Sequence, residues 1–448
     1  MSASIQGFKR ILAYAKMEEK QHQLAGVKWC LERETRGGKI RGGFIADEMG
    51  LGKTITMIGT IFCNYQPATL IVLPVSLISQ WYDEIFRTTG HKALIFHGKG
   101  KKGVTGEKMS ASPIVLTSYN MISSKEEADS PLHQVKWFRV IFDEAHHLRN
   151  SKTTRFTGAK MLDAKVRWLV TGTPVQNKKS DFYALCNILR IPASVYTDID
   201  NISRISQQFI LRRTKREVGI EVPGVTQQST IVPWTNKVEE EFCAAIHSQL
   251  GFIDRETDED HDSAFKTLQL LTRAKQSCTY PPLLNPNLEK GCSKMDSVVE
   301  TILNRKNNGN GKLVFCHYKD EIDALVQRLK DGGIERVVSL DGRDSMIARA
   351  ELLSQAYDVL VLQIQTGCEG LNLQENYSEI YFVTPHWNPS VEDQAIGRCH
   401  RIGQKKPVSV FRFQMAPPLQ KEDTCVSFDN YVTFVQDKKR EIVSGILP

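Results

Sequence analysis

The run Gly43-Phe-Ile-Ala-Asp-Glu-Met-Gly-Leu-Gly-Lys-Thr54 decides how this chain folds. Phe44-Ile-Ala46 reads as the end of a short buried strand, and Thr54-Ile-Thr-Met-Ile-Gly-Thr-Ile61 is apolar enough to open a helix packed on a sheet. Strand, glycine loop and helix form the context that a phosphate-binding loop requires. Gly50 and Gly52 let backbone N–H groups converge on phosphate oxygens, and the helix N-terminus adds partial positive charge. Lys53 is placed to reach β- and γ-phosphates, and Thr54 to offer a hydroxyl to Mg²⁺. The expected cradle is therefore Asp47, Glu48, Met49, Gly50, Leu51, Gly52, Lys53 and Thr54. Asp47 stands where the pattern usually opens on glycine, and a helix-capping turn is the alternative for such a loop taken alone.

A second stretch supplies what the first lacks. Trp137-Phe-Arg-Val-Ile-Phe142 is strand-like and runs directly into Asp143-Glu-Ala-His146. A carboxylate at the strand's end, Asp143, can hold Mg²⁺, and Glu144 can polarise an attacking water. His146 could couple this site to neighbouring segments. An isolated acidic pair is more often a solvated strand end, but a phosphate loop upstream changes that balance.

The surrounding composition is that of a globular protein. At 448 residues the chain exceeds one hydrophobic core, so two or three domains are expected. With 41% apolar and 24% charged residues it is neither disordered nor membrane-like. A net charge of +7 is compatible with nucleic acid without demanding it. No stretch is apolar and long enough to span a bilayer, and Lys9, Arg10 and Lys16 interrupt the apolar start, which excludes a secretory core there. The ten cysteines are scattered with no C-x-x-C pair, so reduced, buried thiols are expected and no structural zinc.

Strand-like runs alternate with helical patterns twice, which predicts two α/β units with parallel sheets. The first set is 44–46, 69–73, 113–117, 138–142 and 167–170; the second is 312–316, 337–340, 358–362, 380–383 and 408–412. Residues 190–295 show few β-like runs. The division expected is 1–189, 190–295 as a helical protrusion and linker, and 296–448. Asp254 to Asp262 is an acidic, solvated loop, and Lys306 to Lys312 a flexible lead into the second unit.

Further motifs in order make a specific resemblance. They are Gln23-Leu-Ala-Gly-Val27 with Trp29, Leu73 to Trp81, Leu116-Thr-Ser-Tyr119, Leu169 to Asn177, Ile210-Leu-Arg-Arg-Thr-Lys215, Leu371-Asn-Leu373, Trp387-Asn-Pro389 and Gln394-Ala-Ile-Gly-Arg-Cys-His-Arg-Ile-Gly-Gln404. The chain resembles the SWI/SNF-type DNA-dependent ATPases of helicase superfamily two, and its minimal form is similar to the global transactivator proteins of baculoviruses. The resemblance implies an α/β fold of two RecA-like parallel-sheet lobes with helical protrusions and a C-terminal brace helix, roughly Val435 to Ile446. It implies ATP and Mg²⁺ as cofactors, with Gln23 and Gln394 beside the nucleotide and Lys53, Asp143, Glu144, Arg398 and Arg401 as catalytic residues. Thr54 and Asp143 would hold the metal, while Ser76, Thr117 and Asn372 would touch DNA.

Double-stranded DNA is the implied partner, with chromatin or transcription proteins beside it and nuclear residence. The stretch Gln363-Ile-Gln-Thr-Gly-Cys-Glu-Gly370, leading into Leu371-Asn-Leu373, departs from the family at Cys368 and Glu369, and Gly397 replaces a frequent Asp. Two other readings stay open: an RNA-stimulated helicase, and a catalytically weak ATPase serving as a DNA-binding scaffold.

Overall fold

Alternation along each strand explains why both sheets are buried on two faces. In the computed structural model, which describes residues 2–125, 130–172, 178–250, 261–288, 291–344, 346–367, 371–418 and 426–444, the chain forms two compact units. The first comprises residues 1–221 joined by the chain's end from residue 439, and the second residues 222–438.

The first unit holds β1 (Gly42–Ile45), β2 (Thr69–Leu73), β3 (Leu94–Phe96), β4 (Ile114–Ser118), β5 (Trp137–Asp143), β6 (Ala164–Val170) and β7 (Ile210–Leu211). They form one seven-stranded sheet in the order β3-β4-β2-β5-β6-β1-β7. Every pairing is parallel. Leu70, Val72, Val140 and Phe142 point into one apolar layer, whereas Ile71, Leu73 and Ile141 point into the other. Successive side chains on opposite faces, each covered by helices, give the near-continuous apolar runs of a parallel sheet.

One charge sits inside this core. Arg139, in the middle of β5, is fully buried and pairs with Glu34 of the helix Gln21–Thr35 at 2.5 Å. Trp168 Nε1 donates to the same carboxylate at 2.8 Å and Asn64 Nδ2 at 2.7 Å. Such a pair ties helix to sheet only because its remaining lone pairs are also satisfied.

The second unit holds β8 (Val225–Val232), β9 (Gly311–Cys316), β10 (Val337–Leu340), β11 (Val359–Gln363), β12 (Tyr377–Phe382) and β13 (Val408–Met415). Their order is β10-β11-β9-β12-β13-β8, again parallel throughout. Val314 and Cys316 face one layer, Leu313 and Phe315 the other. Both sheets are those of an α/β protein with two RecA-like lobes, and a helix, Phe428–Ser444, ends the described chain.

Three strands lie outside the runs read from sequence. β3 and β7 are too short to carry a periodic signal. β8 is an edge strand whose residues Thr226, Gln227, Gln228 and Ser229 are exposed, so it lacks the apolar pattern of its neighbours. The terminal helix starts before the expected Val435. The acidic run 254–260 falls outside the described residues.

Candidate nucleotide site

Parallel β/α units place their loops at the carboxyl ends of the strands, where ligands bind. The loop after β1 and the acidic end of β5 therefore meet along one edge of the first sheet. Gly50 and Gly52 adopt left-handed backbone, with φ of 91° and 81°. At Gly52 a side chain is excluded twice over, since an added Cβ would lie 2.3 Å from Gln23 Nε2. The helix Lys53–Cys63 begins immediately after it, so Lys53 and the half-buried Thr54 occupy its first turn.

Lys53 Nζ donates to the Asp47 carbonyl at 2.9 Å. The Asp47 side chain turns elsewhere: its oxygens accept from Arg213 Nε at 3.0 Å and Nη2 at 2.5 Å. Glu48 pairs with Lys215 Nζ at 2.8 Å and accepts from the Lys215 backbone N–H at 2.7 Å. Ala46 and Glu48 also donate their backbone N–H groups to the carbonyls of Leu211 and Arg213. The Ile210–Lys215 segment thus clamps the loop from β7, which accounts for a carboxylate at the position usually held by glycine. Sequence alone marked this segment as recurrent but not as the loop's anchor.

Gln23 lies against the loop. Its Nε2 donates to Leu51 O at 3.3 Å, beside His22 Nε2 at 2.9 Å from the same oxygen. Gln23 Oε1 is buried with no hydrogen-bond partner among the described residues, an acceptor ready for a ligand donor. Positive-φ glycines, a lysine at the helix start and this orphaned acceptor fit a nucleoside triphosphate. Met49 and Gly172 complete the wall, because a Cβ on Gly172 would sit 3.3 Å from Met49 and 3.5 Å from Lys53 Nζ. Residues 173–177 of that motif lie outside the described residues.

At the end of β5, Asp143 Oδ2 accepts from Trp81 Nε1 at 2.7 Å and Oδ1 from the Glu144 N–H at 3.0 Å. Tyr119 OH donates to its carbonyl at 2.7 Å. Burial first, then the negative charge of Glu144, pushes the Asp143 carboxyl up to about 7. Glu144 holds a left-handed backbone at φ 49°, a conformation costly for a residue with a side chain and most often kept where position matters. His146 Nδ1 lies 3.3 Å from Glu144 Oε2, an ion-pair distance without hydrogen-bond alignment. Its ring stacks on His147, which in turn meets Tyr119.

In the second unit, Gln394 lies on the helix Pro389–Ile396 and is buried. Arg398 is 7% exposed, and its Nε has no partner among the described residues. Arg401 is half-buried and donates to Asn372 Oδ1, itself exposed. Ser76 is exposed on the 3₁₀ turn Val75–Leu77. Thr117 is fully buried in β4 and its hydroxyl donates to Phe96 O at 2.9 Å, so its side chain does not face solvent. Cys368 and Glu369 lie outside the described residues.

The cysteines scattered in sequence are not all apart in space. Cys243, His247 and Cys278 converge with donor atoms within 4.8 Å of one another. A helical i, i+4 pair joined by a residue from the next helix leaves no C-x-x-C spacing in the sequence.

Two family models match this chain, the SNF2-related domain at residues 22–199 and the helicase conserved C-terminal domain at residues 293–403. The chain belongs to the SNF2-related ATPases. It is 29% identical to a probable global transactivator of Orgyia pseudotsugata multicapsid polyhedrosis virus, over 95% of this chain and 91% of that protein. It is 27% identical to the ATP-dependent DNA helicase DDM1 of Arabidopsis thaliana, over 90% of this chain but 59% of the relative. It is 26% identical to the ISWI chromatin-remodeling complex ATPase ISW1 of Saccharomyces cerevisiae, over 90% and 39%. As an SNF2-related ATPase the chain is an ATP hydrolase, and its loop, Lys53 and Asp143 stand in the first matched segment, Arg398 and Arg401 in the second. No helix among the described residues is long and apolar enough to cross a membrane.

Proposed function

We propose that this chain is a DNA-dependent ATPase that moves along duplex DNA and remodels protein–DNA complexes in transcription or chromatin regulation, within the nucleus. The observation that carries the ATPase half is the meeting of the Gly50–Thr54 loop with Asp143 and Glu144 at one sheet edge. Mg²⁺ would be held by Thr54 and Asp143, supplying charge neutralisation between the phosphates. Glu144 would orient the attacking water. Arg398 and Arg401 would stabilise charge on the transferring phosphoryl group, and the unpartnered Arg398 Nε supports a role for a ligand there. The segment 1–189 would bind nucleotide and 296–448 would complete the motor, with 190–295 linking them in sequence.

Duplex DNA as partner rests on the family and on the names of its relatives, one a DNA helicase and one a chromatin-remodeling ATPase. Ser76 and Asn372 are exposed and suited to phosphate contact, whereas Thr117, buried in β4, is not placed to reach DNA. Contacts to phosphate give sequence-independent binding that weakens steeply with salt. ATP turnover is therefore to be measured with duplex DNA, single-stranded DNA and RNA across a salt series. Stimulation strongest with duplex, indifferent to its sequence and lost as salt rises, is the expected result. Stimulation by RNA alone would establish the RNA-helicase reading, and duplex binding without turnover the scaffold reading.

A further inference from the structure

Cys243 and His247 lie four residues apart on the last turns of the helix Lys237–His247, and Cys278 on the last turn of the helix His261–Thr279. The three side chains are buried in the apolar core of the second unit, none more than 1% exposed. Cys243 Sγ and Cys278 Sγ are 3.8 Å apart, and Cys278 Sγ is 3.6 Å from His247 Nε2. A tetrahedral zinc ion with bonds of about 2.3 Å to sulfur and 2.0 Å to nitrogen needs about 3.8 Å between sulfurs and about 3.5 Å between sulfur and nitrogen. These two separations match; Cys243 Sγ lies 3.4 Å from Nδ1 of the same imidazole, and the three donors all fall within 4.8 Å of one another.

From this geometry we propose that Cys243, His247 and Cys278 form a structural zinc site that pins these two helices together, with the Asp429 carboxylate beside it as an outer partner rather than a donor. His247 Nδ1 lies 2.9 Å from the Cys243 carbonyl, and donating its proton there fixes the ring and leaves Nε2 as the metal-binding nitrogen. The Phe428 N–H, which donates to Nε2 at 3.1 Å, gives up that bond when the metal binds. Asp429, the next residue, is fully buried; its Oδ2 accepts from Lys294 Nζ at 2.6 Å and the Met415 N–H at 2.8 Å. Its Oδ1 has no hydrogen-bond partner among the described residues, although an orphaned carboxylate oxygen in a buried core is costly.

Charge balances at the site. Two thiolates offset the ion's two positive charges, and the Asp429 carboxylate is already paired with Lys294. Without an ion two buried thiolates would be prohibitive, and the sulfurs divide the load. Burial and the bond to Cys278 push the Cys243 thiol well above the ordinary range. Burial also opposes ionisation of Cys278, but the bond from Cys243 and the neighbouring His247 outweigh it and hold that thiol well below the ordinary range. Ser277 Oγ, 3.4 Å from Cys243 Sγ, can donate to the second thiolate when it forms. Sulfur and imidazole donors select a borderline-soft ion such as zinc over Mg²⁺ or Ca²⁺, which take oxygen.

The test uses the full chain, purified under reductant, stripped with chelator and titrated with Zn²⁺ against a chromophoric competitor. One tight equivalent per chain is expected. Replacement by Co²⁺ should give sulfur-to-metal charge-transfer bands and a tetrahedral ligand-field spectrum, which reads the donor set without any mutation. Cys243→Ser and Cys278→Ser should each abolish tight binding, Asp429→Asn should weaken it by about 10- to 100-fold, and Cys186→Ser, in the first unit, should leave it unchanged. Substoichiometric binding, a cobalt spectrum lacking sulfur bands, or a Cys243–Cys278 disulfide in place of metal would each overturn the proposal. The ATPase reading does not enter this test, so its failure leaves the site standing.

Discussion

At the scale of single residues, the proposed catalytic set divides into side chains whose role is local and side chains held from afar. Lys53 and Glu144 should separate cleanly. Lys53→Ala removes the cation from the phosphate cradle and should weaken nucleotide binding, whereas Glu144→Gln spares the cradle and should retain binding while abolishing hydrolysis. Equilibrium binding of a fluorescent nucleotide beside steady-state turnover distinguishes the two, and normal turnover in Glu144→Gln would end the water-orienting role. Asp143 makes a different prediction. Its folded value of about 7 stands above the ordinary 3.8. Stability that depends on the protonated carboxyl is therefore present below the lower value and lost as pH rises through the upper one, at roughly 1.4 kcal/mol per unit of separation. In the nucleotide-free protein, Asp143→Asn should gain stability relative to wild type as pH is raised from about 4 to about 7, the difference levelling off above that. Melting temperatures of both proteins across that range check it, and a constant difference would contradict it.

Elements show where sequence reading stops. Lys53, Asp143 and the glycines were legible because their chemistry is written within one loop or one strand end. Arg213 was not, because its partner Asp47 is 166 residues away and only the pairing of β7 with β1 brings them together. The long apolar strands were legible for the same local reason, while β8 was hidden by the polar side chains of a sheet edge. Arg139 is the sharpest case. A charge in a strand suggests an exposed face, yet Glu34, Asn64 and Trp168 make a buried polar network around it. Removing one partner leaves an uncompensated charge in the core, so Glu34→Ala should cost about 3–5 kcal/mol. Denaturant unfolding of the nucleotide-free protein measures this, and a loss below about 1 kcal/mol, the worth of a surface pair, would show the network to be solvated.

Across the whole molecule, the proposed site residues divide between the two units. The first has the cradle, the carboxylates and Gln23; the second has Arg398 and Arg401. Charge on a transferring phosphoryl group is worth neutralising only in the transition state, so an arginine acting there raises turnover without tightening ground-state binding. Arg401→Ala should then lose about 10³–10⁵ in rate, as for arginine fingers generally, with ATP affinity nearly unchanged, and Arg398→Ala should behave alike. Asn372 accepts a hydrogen bond from Arg401, so Asn372→Ala should show a milder version of the same loss. A fragment ending at residue 221 makes the argument stricter. It keeps every nucleotide-binding residue named here except Gln394, and it forfeits Ile442 and Val443, which pack on the first unit's core. The fragment should be less stable than the full chain and still bind ATP, but fail to hydrolyse it. Single-turnover assays with the full chain, the arginine variants and the fragment place each loss in binding or in chemistry. Normal hydrolysis by the fragment would mean that the first unit works alone and that Arg398 and Arg401 serve the fold of the second.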